Sequence, residues 1–404
     1  MNPELWHAHP ALAFLSWLPV PLGTLALWLP AWPPFARRFG RPWAGWVFFA
    51  LTRVVLTVVV FGVLGHRSTD WFVNQFQGES VLAGGMPYRD FETLFAPGLP
   101  FLFAAALRLS QAWGPIACYI CADLGAFAAL ARLSGGPAPS PQSPAWAYLA
   151  FTPVWYFESR YAQEESLAAL FLALALLAFS RRRQAWAGAA LAIGQLFTKI
   201  LFGLCALPLL VARGTRGSAR LAYFVPVAAV YLGMTVAGWP WAAAVSHQAG
   251  AFGSGPTLWR LPALWWNLEL GRFAMAPFAL ALTVGWWRLI RAGAGRVELA
   301  AWLWGCYALL APKLLPMYVV MVAPALALWV ARGSPARFRW WGLYAFAFAT
   351  AWYADSGLVQ GGFGRWGVAL GAMLLLLPPA LDAWLLVALW RGADEDAMRT
   401  VRAE

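Results

Sequence analysis

The sequence predicts an all-α protein with about eleven to thirteen membrane-spanning helices. Three observations carry that reading. Of 404 residues, 61% are hydrophobic and only 11% charged, where soluble domains carry about 25% charge. Apolar runs of spanning length recur at 11–32, 43–65, 221–240, 273–291, 315–331, 338–354 and 366–390, with shorter ones between them. Arginines gather in the short segments that separate the runs.

The arginines set the expected topology. Arg37, Arg38 and Arg41, then Arg181–Arg183, Arg213–Arg220, Arg288–Arg296 and Arg332–Arg339, fall into clusters that read as cytoplasmic under the positive-inside rule. The net charge of +12 is therefore a sign of topology and excludes no membrane reading in favour of a nucleic-acid one. The acids Asp70, Glu79, Asp90, Glu92, Glu158, Glu164, Glu165, Glu269 and Asp355 fall between these clusters, on the expected extracytoplasmic side. Residues 66–96 form a large first extracytoplasmic loop in this scheme. Residues 1–390 are one polytopic domain and 391–404 a cytoplasmic tail.

Two stretches, 185–212 and 297–331, read as hairpins with both feet in the cytoplasm and a lysine at each tip. An arm of fourteen residues rises about 21 Å, short of a hydrocarbon core of about 30 Å. The arms around Lys199 are thus expected to be half-helices. Parity requires one of the runs 97–113, 115–133 or 145–157 to be re-entrant or broken, and Pro153 points to the last. Arg53, inside the run 43–65, needs a partner, and Asp123 in the run 115–133 is the candidate. Asp382, in the last run, has no evident role.

Other features are structural. The N-terminus lacks a basic region and a cleavage site, so the first run is expected to stay as a helix. Cys118, Cys121, Cys205 and Cys306 lie inside apolar runs and imply no disulfide framework. Most of the 27 tryptophans cluster at run ends as an aromatic belt, with Trp71 and Trp259 the candidates to stack on a sugar. No P-loop, dinucleotide fingerprint or His/Cys cluster is present. No cofactor is expected, although loop carboxylates leave a divalent cation open.

The chemistry lies in a few polar residues. Only two of the 29 basic side chains are lysines, Lys199 and Lys313, and both stand at hairpin tips. A compact ammonium in such a place suits a phosphate. A carboxylate can take the proton of a hydroxyl nucleophile, while nearby cations stabilise a departing phosphate. Both together fit sugar transfer from a lipid phosphate. His247, Arg260 and Arg272, in the loop after Pro240, add candidates for the phosphate.

The string Asp70 … Gly84-Gly85-Met86-Pro87-Tyr88-Arg89-Asp90-Phe91 … Pro97-Gly98-Leu99-Pro100 resembles the first-loop signature of GT-C glycosyltransferases. Within that superfamily it is most similar to the polyprenol-phosphate-mannose-dependent mannosyltransferases. Gln163-Glu164-Glu165-Ser166-Leu167 resembles their polar turn before an apolar helix, with two glutamates in place of one Asp. Ala187-Gly188 … Thr198-Lys199 is similar to a glycine-containing helix of that family. Pro312-Lys313-Leu314-Leu315-Pro316-Met317-Tyr318 is similar to its late hairpin, without the usual Ser and Gln. The resemblance spans roughly residues 43–331.

It implies a multi-pass enzyme of the plasma (inner) membrane with an extracytoplasmic site. Asp70 is then the catalytic base, with Asp90, Glu164 and Glu165 as alternative bases or acceptor-binding groups. Lys313, Lys199, His247 and Arg260 would bind the donor phosphate, and Tyr88, Arg89 and Tyr318 would shape the loops. The expected partners are a polyprenyl-phosphate-linked sugar, mannose foremost, a glycolipid or glycan acceptor, and membrane lipid, with no nucleic acid. Read from the residues alone, Asp90 next to Arg89 suits an ion pair that folds the loop. The rival class is a transporter or lipid-linked sugar flippase, whose essential carboxylate would sit in mid-span.

Overall fold

The computed structural model describes residues 19–28, 42–65, 67–93, 95–134, 143–161, 163–243, 257–259, 271–311, 314–353 and 364–403. Among these the chain is helical and contains no β-strand. The first third supplies α1 (Pro19–Trp28), α2 (Pro42–Phe49), α3 (Thr69–Leu82), α4 (Leu99–Leu109) and α5 (Gly114–Leu133). Two π-helical stretches, Ala50–Val55 and Val58–Val63, extend α2. The middle supplies α6 (Pro144–Leu149), α7 (Thr152–Tyr161), α8 (Glu165–Ser180), α9 (Gln184–Phe197), α10 (Phe202–Val211) and α11 (Gly217–Val236). The last third supplies α12 (Met275–Arg291), α13 (Arg296–Leu310), α14 (Val319–Ala331), α15 (Pro335–Tyr353) and α16 (Gly364–Ala403).

Burial sorts these helices into a core and a rim. Helix α14 is apolar on every side, and Val319 to Val330 are all buried, as a helix without a polar face must be. It packs on α8, α6 and α13, while α8 also packs on α5 and α9. The rim behaves differently. Val54, Val55, Val58, Val59 and Val63 of α2, Leu221, Phe224, Val225, Leu232 and Val236 of α11, and Leu370, Met373 and Leu376 of α16 are all exposed. Water would penalise such continuous apolar faces, so their solvent is lipid.

Among the described residues, four helices are long and apolar enough to cross a membrane by length and composition: Trp43–Val63, Gly114–Leu133, Gly217–Val236 and Ala369–Gly392. Four apolar helices of 10–17 residues accompany them. These four and four make eight, so a total of about eleven to thirteen crossings would have to draw on further helices as well.

The run 145–157 is broken. Helices α6 and α7 meet at Ala150 and Phe151, and Pro153 stands in the first turn of α7. Residues 145–158 are all buried, so the break lies in the core. Its polar groups are met from outside. Arg53 donates from Nη1 to the Leu149 carbonyl at 2.7 Å, and from Nε to Asp123 Oδ2 at 2.5 Å. Tyr148 donates to the other oxygen of Asp123 at 2.5 Å. Arg53 and Asp123 are both fully buried. The pair expected between these two runs is thus present, and it also ties the end of α6 to α2 and α5.

The segment 66–96 differs from the loop that the sequence suggests, because half of it is α3. Ser68 caps this helix, its Oγ accepting from the Trp71 amide at 3.1 Å. Asp70, Asn74 and Gln77 recur at helical spacing and face inward; Phe72 and Phe76 face outward at 56% and 58% exposure. The polar composition belongs to an inward stripe of a helix whose other side is greasy. Glu158 also differs from expectation: it sits on α7, buried, rather than in a loop.

Among the rim contacts, α9 meets α11 almost backbone to backbone. A Cβ on Gly188 would lie 2.0 Å from the Ala219 carbonyl oxygen, so no larger residue fits there without moving a helix.

Replacing either partner of the core pair strands the other charge. Arg53→Leu or Asp123→Leu is expected to lower stability by about 3–5 kcal/mol. The double variant should regain a large part of that loss, which detergent unfolding curves of the three proteins will show.

Candidate functional site

The site assembles where three chain breaks converge: the start of α3, the turn before α8, and the gap between α9 and α10. Asp70 stands in the first turn of α3, where the helix dipole favours a carboxylate. It is half-buried. Its Oδ2 accepts from the Gln163 amide nitrogen. Its other oxygen has no hydrogen-bond partner among the described residues. One stripe position further along α3, Asn74 donates to Tyr119 of α5 at 2.9 Å, and Gln77 then accepts from Thr93 at 2.9 Å. These bonds set the rotation of α3, and with it the direction of Asp70.

Glu164 and Glu165 follow Gln163 directly and begin α8. Both are buried, and both face Lys199. The ammonium lies 2.5 Å from Glu165 Oε1 and 2.9 Å from Glu164 Oε1. It also lies 4.7 Å from the centre of the Tyr318 ring, a cation–π contact. One cation thus meets two carboxylates. The second oxygens, Glu164 Oε2 and Glu165 Oε2, are buried acceptors with no partner among the described residues.

Lys199 reaches this point because the helix stops. Helix α9 ends at Phe197, Thr198 leaves the helical region, and α10 begins at Phe202. Thr198 donates back to the Gly194 carbonyl at 2.6 Å, and Gln195 donates to the Ile200 carbonyl at 3.1 Å, so the exposed turn ends are partly satisfied. The end of the first loop docks on the same gap. The Ala96 amide donates to the Thr198 carbonyl at 2.9 Å and the Gly98 amide to the Leu196 carbonyl at 2.7 Å. A Cβ on Gly98 would come within 2.7 Å of that Leu196 oxygen, which explains a glycine in this close approach.

The remaining candidates lie apart. Arg89 and Asp90 pair with each other at 2.6 Å on an exposed turn, and Asp90 also accepts from the Met86 amide at 2.8 Å. The Arg89 hydrogen bond, then the Met86 amide, hold the Asp90 carboxyl below its usual range. Tyr88 is buried, with a left-handed backbone at φ 65°, and its hydroxyl donates to the Phe95 carbonyl. It packs against Met234 at the end of α11. Trp71 packs in a cluster with Phe61, Phe95, Phe103 and Tyr119, and Trp259 donates to the Leu310 carbonyl at 2.6 Å. Lys313, His247 and Arg260 lie outside the described residues. So does the side chain of Arg272.

The structure therefore brings together Asp70, Glu164, Glu165, Lys199 and Tyr318, and leaves Asp90 and Arg89 at a distance from them. Among the described residues no group of three metal-binding side chains is placed to hold a metal ion. Asn74, Gln77 and Gln163 carry no role in the sequence reading. The spacing of Asp70, Asn74 and Gln77 was the available sign, hidden by the turn-like residues that follow.

The chain is similar to ArnT. The match is to the crystal structure of ArnT from Cupriavidus metallidurans in the apo state, with TM-score 0.44 and 16% identity. It covers 88% of this chain and 75% of that one. No family model matches the chain, and no curated protein matches it.

Removing the shared cation leaves two buried carboxylates side by side. Lys199→Met is expected to destabilise the protein by about 3–5 kcal/mol. Adding Glu164→Gln and Glu165→Gln to that variant should restore much of the stability, as read from denaturant titration in micelles.

Proposed function

We propose that this membrane protein is a GT-C glycosyltransferase that moves a sugar, mannose foremost, from a polyprenyl-phosphate donor to an acceptor hydroxyl. The observation that carries the reading is Asp70: one carboxylate oxygen held by Gln163, the other open, beside buried acceptors on Glu164 and Glu165. A base must be fixed in direction yet keep a lone pair for the substrate, and Asp70 meets both needs.

The step is a single displacement. The acceptor oxygen forms a bond to the anomeric carbon as the bond from that carbon to the phosphate oxygen breaks. The acceptor proton passes to Asp70, and the lipid leaves as a phosphate monoester. Inversion follows, so a β-linked donor gives an α-linked product. The unpartnered oxygens of Glu164 and Glu165 can accept from sugar hydroxyls.

The geometry changes the role proposed for Lys199. Its charge is already outweighed by two carboxylates, so it organises the turn before α8 and makes a poor phosphate ligand. The donor phosphate falls to Lys313, His247 and Arg260. Asp90, occupied by Arg89 and the Met86 amide, shapes the loop together with Tyr88. Helix α8 runs from Glu165 to an arginine turn at Arg181–Arg183, which supports an extracytoplasmic site under the positive-inside rule. The same reading places the chain in the plasma (inner) membrane.

A second reading, a transporter or flippase, draws on the buried charges at the gap between α9 and α10, since transporters also bind substrate at broken helices. The two are separated by one assay. Purified protein with radiolabelled polyprenyl-phosphate-mannose and a panel of glycolipid acceptors should transfer sugar. Asp70→Asn should reduce transfer about 10²–10⁴-fold with the unfolding midpoint unchanged, and Asp90→Asn should keep most of it. Equal transfer by Asp70→Asn would remove Asp70 as base. Movement of intact donor across vesicles without transfer would establish the rival.

A further inference from the structure

At the end of α8 opposite Glu165, the hairpin with α9 opens into a groove of about 320 Å³. Its walls include Phe171, Leu174 and Ile193, and its rim carries Arg181, Arg183 and Trp186. Trp186 is 72% exposed, and Leu174 and Ile193 are exposed beside it, on a surface continuous with the lipid-facing rim. Neither arginine has a carboxylate partner among the described residues. The turn that holds them is tight: Arg182 has φ 59°, and the Arg183 amide donates to the Ala178 carbonyl at 2.9 Å. Two guanidinium groups are thus presented at the mouth of an apolar slot.

The surrounding end of the bundle is basic as well. The Arg216 amide donates to Gln184, the first residue of α9, at 3.3 Å, and Arg296 donates to Thr215 and lies 4.2 Å from the Phe179 ring. The Arg296 side chain is thus engaged between helix ends, while Arg216 contributes its backbone amide. Arg181 and Arg183 are the ones that line the groove.

We propose that this groove binds an anionic phospholipid, with acyl chain against Phe171, Leu174 and Ile193 and headgroup phosphate between Arg181 and Arg183. Charge complementarity and the apolar walls both select that occupant. Basic pockets between membrane helices take acidic headgroups, and Trp186 sits where an interfacial indole belongs. A free phosphate would gain nothing from the apolar walls. This site is separate from the carboxylate cluster, at the far end of α8, and independent of the reaction proposed above.

The test is native mass spectrometry of the full chain in neutral detergent, with phosphatidylglycerol or phosphatidylcholine added. Each arginine near the headgroup should favour the anionic lipid about five-fold, so the pair about thirty-fold. Arg181→Gln with Arg183→Gln should abolish the preference. Ala190→Trp, which fills the groove wall, should lower retention of phosphatidylglycerol. Arg213→Gln with Arg391→Gln, exposed arginines outside the groove, should leave it unchanged. Equal retention of the two lipids would overturn the proposal. So would an equal loss in the Arg213 and Arg391 variant, which would mean diffuse charge, or unchanged retention in Ala190→Trp.

Discussion

The fully buried bond between Arg53 and Asp123 is the interaction around which the rest of the structure is arranged. In an apolar interior a helix break is costly, because each interrupted turn leaves backbone carbonyls without donors. This chain breaks a helix at Ala150 among fully buried residues. Arg53 makes the break possible by donating to the Leu149 carbonyl, and Asp123 makes Arg53 possible by balancing its charge. Tyr148 closes the arrangement from the broken helix itself. With α6 anchored in this way, α7 sets off in its own direction and leads to the turn that carries Gln163, Glu164 and Glu165.

The same logic recurs at the gap between α9 and α10. There too a helix stops among buried residues, and there too a cation and carboxylates meet at the interruption. The two clusters differ in balance. Arg53 bonds one carboxylate, Asp123, with the buried Glu158 nearby but not bonded, whereas Lys199 meets two glutamates directly and leaves one oxygen of each unused. A further buried chain, Trp304 to Tyr344 to Asp382, crosses α13, α15 and α16 and gives Asp382 a hydroxyl partner at 2.5 Å. Asp382 thus belongs to packing between late helices and lies on elements other than those that build the site.

What could be read in advance follows from the range of each signal. Composition and run length are properties of the whole chain, so the helical membrane class was plain. A lone Arg and a lone Asp in apolar runs have few possible partners, so Arg53 and Asp123 found each other on paper. Pro153 and Lys199 stand at the two interruptions, although proline alone is no guide here, since Pro208, Pro226 and Pro324 lie inside continuous helices. The pairing of Lys199 with Glu164 and Glu165 was not legible. Nothing local links residues 34 and 35 positions apart, and the excess of acids over cations appears only once they touch. Helix α3 was missed for a different reason. Its inward polar stripe and outward Phe72 and Phe76 invert the usual pattern, and the glycines that follow disguise it as a loop.

The docking of Ala96 and Gly98 on Leu196 and Thr198 is made by main-chain atoms alone. Such a joint does not depend on the chemistry of the side chains it connects, apart from the room that Gly98 supplies. Residues 83–95 therefore run between two fixed mounts, the polar stripe of α3 and this main-chain joint. Within that stretch Tyr88 and Thr93 are themselves anchored, to Phe95 and to Gln77, so it is the exposed residues Arg89, Asp90 and Glu92 that can change while both mounts stay where they are. That exposed tip can be exchanged as a unit, and the Asp70 carboxylate keeps its bearing.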